Sequence, residues 1–251
     1  SLCSDCGHIF ADPSPSPEFI ASLYAQVEDP SYEEESEGRS RNFLQILRTL
    51  ESLRPEKGRL FDMGAATGLL LRLARARGWT PAGVEPSRWA VARAGEDYGL
   101  SILTGSFADV PDDAGPFQAL TMVDLIEHTP LPRQAAAKAA ALLEPGGLLC
   151  VVTPDIHSPI ARLAGKRWWH LRPGHLAYFS GRSLTRLLGD AGFRIVKRKR
   201  YAWTFSAHYL LTRLRPGAAA DGRAASFLRA IRIKLALGDS FEFYAVKGPR
   251  P

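Results

Sequence analysis

Apolar residues recur along this chain in two periods, and the changes of period mark its elements. Short apolar runs at Leu60 to Met63, Pro81 to Glu85, Ser101 to Leu103 and Leu148 to Val152 have the length of buried strands. Between them the spacing becomes helical. Leu69-Leu70-Leu71 opens one helix, Ser87 caps another that runs to about Tyr98, and Arg133 to Leu143 forms a third. Nearer the start, Glu18 to Val27 reads as a short amphipathic helix with Phe19, Leu23 and Tyr24 on one face. Phe43, Ile46, Leu47, Leu50 and Leu53 mark a longer helix ending before Pro55. Ala11 to Pro17 carries three prolines and predicts an extended linker, and Glu28 to Gly38 an acidic loop.

The last third follows the same grammar with one enlargement. Ser180 to Ala191 predicts a helix closed by Gly192, then a strand begins at Phe193-Arg194-Ile195-Val196. Gly238 to Val246 alternates and supplies a final strand. Between them lie Trp203 to Leu214 and Ser226 to Leu237, an insertion larger than a hairpin needs. In the second piece Phe227, Ile231 and Leu235 share a helical face, with Arg229, Arg232 and Lys234 around it. Strands alternating with helices predict an α/β fold.

Composition narrows this picture. At 251 residues and 45% apolar content the chain can bury a full core. No apolar run reaches the length of a membrane span, no signal peptide is evident, and three cysteines fit a reducing compartment, so the expectation is a cytoplasmic protein. The net charge of +6 is uneven: Phe193 to Pro251 holds thirteen Lys/Arg against three Asp/Glu. A basic helix there reads as a packed helix with a solvated face, or as a contact with an anionic membrane or phosphate-bearing substrate. No nucleic-acid module accompanies the charge.

The candidate chemistry starts at Asp62-Met63-Gly64-Ala65-Ala66-Thr67-Gly68. A strand ends there, a glycine-punctuated turn follows, and a helix begins at once, which sets a ligand over a helix N-terminus. Glu85, seventeen residues after Gly68, ends the next strand where an acid can accept from both ribose hydroxyls. A dinucleotide site needs three glycines for the pyrophosphate, but the middle position is Ala66. Asp62 would repel a pyrophosphate and suits an ammonium group.

D-x-G-x-x-x-G followed by a strand-end acid resembles the class I S-adenosylmethionine (SAM) methyltransferases, and the resemblance runs from about Asn42 to Phe193. Phe117 to His128 is similar to the family's fourth-strand segment running into Glu-His, and Leu143-Glu144-Pro145-Gly146-Gly147 to its turn into the fifth strand. The resemblance implies a doubly wound, mostly parallel seven-stranded sheet of order 3-2-1-4-5-7-6, with N-terminal helices and a helical insertion at 203–237 before an antiparallel last strand. It also implies a SAM site. Asp62 takes the methionine ammonium, Gly64, Ala65 and Gly68 line the carboxylate side, and Glu85 holds the ribose. Ser106 and Phe107 border the adenine, and Val123 and Asp124 flank the methionine moiety. Tyr24 and Tyr32 lie where the family's N-terminal helices contact ligand, unless they only pack or stay solvated.

His128 is the first catalytic candidate, since imidazole suits proton removal near neutrality; a structural cap is its other reading. After the fifth strand, Lys166 to Ser180 concentrates aromatic, histidine and basic residues in a stretch too broken for a helix. Such a loop beyond the strand ends predicts an acceptor wall of Trp168, Trp169, Arg172 and Tyr178. His175 is there a base, a hydrogen-bond donor or an anchor, and Trp168 otherwise packs the loop down. Cys3 and Cys6 resemble half of the zinc ribbon carried by a bacterial subgroup of the family. Zinc is expected only with further ligands upstream.

The division expected is therefore 1–54 (ribbon remnant, linker and N-terminal helices) and 55–251 (the SAM-binding domain). The implied reaction is methyl transfer to a small-molecule acceptor, a sugar or secondary-metabolite hydroxyl or amine. A SAM-binding protein of the same fold without turnover is the alternative.

Overall fold

The computed structural model describes residues 1–29, 34–215 and 222–249. The chain begins with β1 (Ile9–Phe10), α1 (Pro17–Ala25) and α2 (Ser36–Leu53). Strands and helices then alternate: β2 (Arg59–Met63), α3 (Leu69–Ala76), β3 (Thr80–Glu85), α4 (Arg88–Tyr98), β4 (Leu103–Thr104), β5 (Phe117–Val123), α5 (Pro132–Leu142) and β6 (Leu143–Pro154). A short α6 (Pro159–Ala164) leads to β7 (Ala177–Tyr178), α7 (Gly181–Asp190) and β8 (Phe193–Arg200). Last come β9 (Trp203–Ser206), α8 (Ala207–Leu214), α9 (Gly222–Ala230), β10 (Arg232–Leu235) and β11 (Ser240–Lys247).

Seven strands make one sheet in the order β4-β3-β2-β5-β6-β11-β8. β2 pairs in parallel with β3 and β5, β5 with β6, and β3 with β4, while β11 runs antiparallel to β6 and β8. This is the expected topology, and it places the chain reversal between β2 and β5, where a crevice opens beyond the strand ends. Buried parallel strands should be apolar on both faces, and β6 is: Leu148 to Pro154 is buried throughout. One face is covered by α5 and α7 over Phe117, Leu120, Met122, Leu149 and Val151. The other is covered by α2, α3 and α4 over Leu60, Ala119, Cys150 and Tyr244.

Local chemistry sets the element ends. Ser16, Ser87 and Ser180 cap α1, α4 and α7 through their hydroxyls, each accepting a backbone N–H of the first turn. Gly68 begins α3 at φ +77°, and a Cβ there would lie 2.8 Å from Leu100 Cδ1, so both conformation and space require glycine.

Several expectations are corrected. The reversal expected at Gly146-Gly147 is a bulge within β6: Phe117 faces Leu143 but Ala119 faces Leu148. The helix expected over 226–237 ends at Ala230. Arg232 to Leu235 instead pairs antiparallel with Trp203 to Ser206, so the insertion is two helices on a hairpin. The alternation Ile233/Leu235 satisfies a strand as readily as a helix over so short a span, and the pairing partner decides. On α1, Phe19 (59%) and Leu23 (52%) are exposed, while Ile20 and Tyr24 turn inward. α2 is no N-terminal appendage, since Ile46, Leu47 and Leu50 are fully buried in the core beside Leu60 and Leu70. Tyr32 lies outside the described residues.

Candidate functional site

A cavity of about 420 Å³ opens beyond the carboxyl ends of β2, β3 and β5, roofed by α1. Gly64, Ala66, Thr67, Glu85, Ser106, Phe107, Val123 and Asp124 line one side, and His128 and Arg172 lie toward the other. Sequence reasoning had pointed to most of these residues. It missed Thr67 and Trp89, whose place on the wall follows only from the turns around them.

Glu85 organises the cofactor side. Its Oε2 accepts from Ala66 N at 2.8 Å and its Oε1 from Ser87 N at 2.9 Å, tying the glycine loop to the end of β3. Burial pushes its pKa up against those two hydrogen bonds. Two non-glycine residues at the cavity sit in the left-handed region, Ala66 in the glycine loop at φ +46° and Asp124 just past β5 at φ +52°. Such backbone is costly, and it concentrates at functional sites. Asp124 thereby reaches the wall; burial raises its pKa to about 6, against the opposing charges of Arg39, His170 and Arg172.

Asp62 does not line the cavity. It is buried behind the loop, its Oδ1 accepts from Thr121 Oγ1 at 2.6 Å, and burial raises its pKa to about 8. Asp124, the residue directly after β5, lines this wall together with Glu85. Ala65 and Gly68 also sit behind the lining, one under β3 and the other against Leu100 and Ala94. In the turn expected to border the adenine, Ser106 N donates to Asp109 Oδ2 at 2.7 Å, and Ala108 N donates to Ser106 Oγ, so Asp109 supplies the acid of that turn and fixes it.

His128 sits where two distant segments meet. Its Nδ1 lies 2.7 Å from both the Tyr24 hydroxyl and the Gly174 carbonyl oxygen. A carbonyl only accepts, so Nδ1 carries the proton and Nε2 is left with its lone pair. Burial lowers the His128 pKa to about 4; the Arg172 and His170 charges add to this and the Gly174 contact opposes it. The imidazole is therefore neutral at physiological pH. Burial likewise raises the Tyr24 phenol to about 12, helped by Glu127.

The segment after β6 is folded differently from the expected acceptor wall. Trp168 (1% exposed) is buried and its indole N–H donates to Asp239 Oδ2 at 3.4 Å, so it packs the loop down. Trp169 (47% exposed) faces solvent, and Tyr178 donates to the Arg172 carbonyl at 3.4 Å; neither lines the cavity. Only Arg172 reaches it. The reason is anchorage: Glu127 O accepts from Leu176 N and Ala177 N, and β7 pairs with β1, pinning the strip on both sides. His175 (2% exposed) lies behind His128, ring centroids 4.6 Å apart, and its Nε2 accepts from Arg172 Nε at 2.8 Å. Burial lowers its pKa to about 2, with His128, Arg172 and His170 adding to the effect. A ring so placed is an anchor and not a base.

Two metal possibilities can be weighed on donors. Ligand atoms of Glu127, His128 and His175 lie within 4.8 Å of one another. However, His128 Nδ1 and His175 Nε2 are already engaged, and the Arg172 guanidinium beside them opposes a dication. Cys3 and Cys6 form a tight turn closed by Gly7 N to Cys3 O and Cys3 N to His8 O, outside the cavity. His8 packs tilted against Phe179 at 4.7 Å between ring centroids, and two thiols do not fit a four-ligand zinc site.

The family described as a methyltransferase domain matches residues 11–198. No curated protein matches the sequence. Among solved structures, the chain resembles a SAM-dependent methyltransferase from Thermotoga maritima at 23% identity and TM-score 0.55, covering 83% of this chain and 90% of that one. It also resembles magnesium protoporphyrin IX methyltransferase from Synechocystis with bound S-adenosylhomocysteine, at 16% identity and TM-score 0.57 over 93% and 95% of the two chains. A third, the [4+2]-cyclase SpnF, shares 21% identity at TM-score 0.57 over 82% and 81%. These likenesses show the fold.

Proposed function

We propose that this chain, which belongs to the methyltransferase-domain family and is a class I SAM-dependent methyltransferase, methylates a small-molecule acceptor in the cytoplasm, at a hydroxyl or amine of a sugar or secondary metabolite. The observation that carries the reading is the cavity itself. It is roofed by α1, and its wall carries a neutral histidine. No helix among the described residues is long and apolar enough to cross a membrane.

Cofactor contacts follow from the lining. Glu85 sits at the end of β3, where its carboxylate meets the ribose hydroxyls, with Phe107 and Ser106 at the adenine. Gly64 and Thr67 face the methionine side, and Asp124 is the carboxylate available to its ammonium. That assignment replaces Asp62, whose oxygen is committed to Thr121.

Bound SAM supplies a methyl group on a sulfonium, open to in-line attack. The chain's part is to align the acceptor, exclude water and take a proton. An acceptor hydroxyl held beside that methyl would give up its proton to His128 Nε2. Tyr24 and Gly174 keep the proton on Nδ1 and so hold the ring in the accepting tautomer. With its pKa lowered to about 4, His128 is a weak base, suited to an acceptor whose own acidity rises as the bond forms.

The test is a mass-spectrometric screen of hydroxyl and amine acceptors with SAM for a gain of one CH2, run beside calorimetry of SAM and S-adenosylhomocysteine. Cofactor binding with methylation confined to a protein or RNA acceptor would overturn the small-molecule reading. Cofactor binding with no transfer to any acceptor would favour the turnover-free alternative, and the cyclase of the same fold shows that such a scaffold can host other chemistry.

A further inference from the structure

Arg172, on the cavity wall, is held by a buried histidine. Its carbonyl accepts from His175 N at 3.0 Å, closing a turn, and its own Nε donates back to His175 Nε2 at 2.8 Å. The side chain is thus fixed along its length by one buried imidazole, while its terminal N–H groups remain for something else. No carboxylate is recorded in an ion pair with it among the described residues, although Asp124 and Glu127 lie close enough to feel its charge.

The arrangement carries a cost that packing alone does not explain. Because Nε2 of His175 accepts, the proton of that neutral ring resides on Nδ1, and Nδ1 is buried without a partner. An orphaned buried N–H is unfavourable and calls for a reason. Orienting Arg172 supplies one. A guanidinium held at Nε presents its two terminal nitrogens as a fork matched to two oxygens of one anion.

We propose that Arg172, positioned by His175, receives an anionic group of the acceptor, so that the substrate is an apolar or aromatic small molecule bearing a carboxylate or phosphate. This rests on the acceptor side of the cavity being where the preceding section places it. The body of the ligand is set by the neighbouring wall, where Pro17, Ile20, Pro130 and Leu131 line the cavity beside Tyr24 and His128. A flat or aliphatic body there would lay its anion on Arg172 and its nucleophile near His128. His175 is a positioning residue in this arrangement and does not touch the ligand.

The experiment uses the full chain saturated with S-adenosylhomocysteine, whose own binding is measured first. Benzoate, inorganic phosphate and the neutral isostere benzamide are then titrated by ligand-observed NMR. Benzoate and phosphate should bind weakly and benzamide at least about tenfold more weakly than benzoate, as expected for loss of a charge-assisted pair. Arg172→Gln should weaken both anions by about tenfold or more at unchanged cofactor affinity, and Arg172→Lys should fall between. His175→Gln, which keeps an acceptor for Nε, should retain more anion affinity than His175→Ala; a merely structural histidine would not produce that ordering. The proposal is overturned if neither anion binds, if benzamide matches benzoate, or if Arg172→Gln binds the anions as the parent does. Should the cofactor itself fail to bind, the methyl-transfer site is misplaced, and the anion titration on the cofactor-free chain still decides the Arg172 question.

Discussion

On the wall proposed for the cofactor, Glu85 gathers the backbone N–H groups of Ala66 and Ser87, which flank one helix–strand unit. On the acceptor side, Tyr24 reaches His128 across 104 residues of chain, and Gly174 closes on the same nitrogen from a third segment. The first wall is made of backbone groups tied by one acid close in sequence. The second is made of side chains that meet only because α1 roofs the sheet and β7 is pinned to β1. Changes to the first wall should therefore act on cofactor binding, and changes to the second on turnover.

The largest effect should come from the acceptor wall. His128→Ala is expected to lower turnover about 10²–10⁴-fold with SAM affinity little changed, as for loss of a positioned base. Turnover and calorimetry on one preparation would check it. Equal loss of both would erase the distinction between the walls.

Glu85→Ala comes next. It frees two backbone N–H groups and removes the ribose acceptor, so SAM binding should weaken by about 1–3 kcal/mol. Calorimetry reads this directly, and an unchanged affinity would move the ribose elsewhere.

Asp62 sharpens the contrast through pH. Burial raises its folded pKa to about 8 from the ordinary aspartate value of 3.8, so the folded chain keeps a proton that the unfolded chain releases. Stability contributed by this group therefore falls as pH rises between those values, by up to about 1.4 kcal/mol per pH unit. Asp62→Asn should remove one proton's share of that slope in denaturation midpoints measured from pH 5 to 8. A slope identical to the parent's would mean that Asp62 is ionised in place.

The smallest effects belong to the two tryptophans. Trp168→Phe should cost about 1 kcal/mol of stability through the lost hydrogen bond to Asp239, leaving SAM affinity intact. Trp169→Ala should stay within about 0.5 kcal/mol and leave turnover unchanged. A large fall in turnover for Trp169→Ala would return it to the acceptor wall.

What could be read directly from the residues was whatever depends on near neighbours. The D-x-G-x-x-x-G turn, the acid ending β3 and the alternation of buried strands with helices are local patterns, and they located the sheet, its crevice and much of one wall of the cavity. Asp62 shows the limit even there: the motif marks an acid at the strand end, but whether its carboxylate faces ligand or Thr121 depends on β5, paired in register from about sixty residues away. The hairpin β9–β10 shows it again, since four alternating residues become strand or helix according to the partner beside them. Trp168, Arg172 and His175 lie within one eight-residue stretch and look alike as aromatic and basic residues after β6. One packs, one lines the cavity and one supports it from behind. The sequence by itself determined the fold and the place of the crevice because backbone turns and hydrophobic periods are short-range. Tertiary structure alone decided which side chains face the acceptor, because that depends on burial and hydrogen bonds closed between segments far apart in the chain.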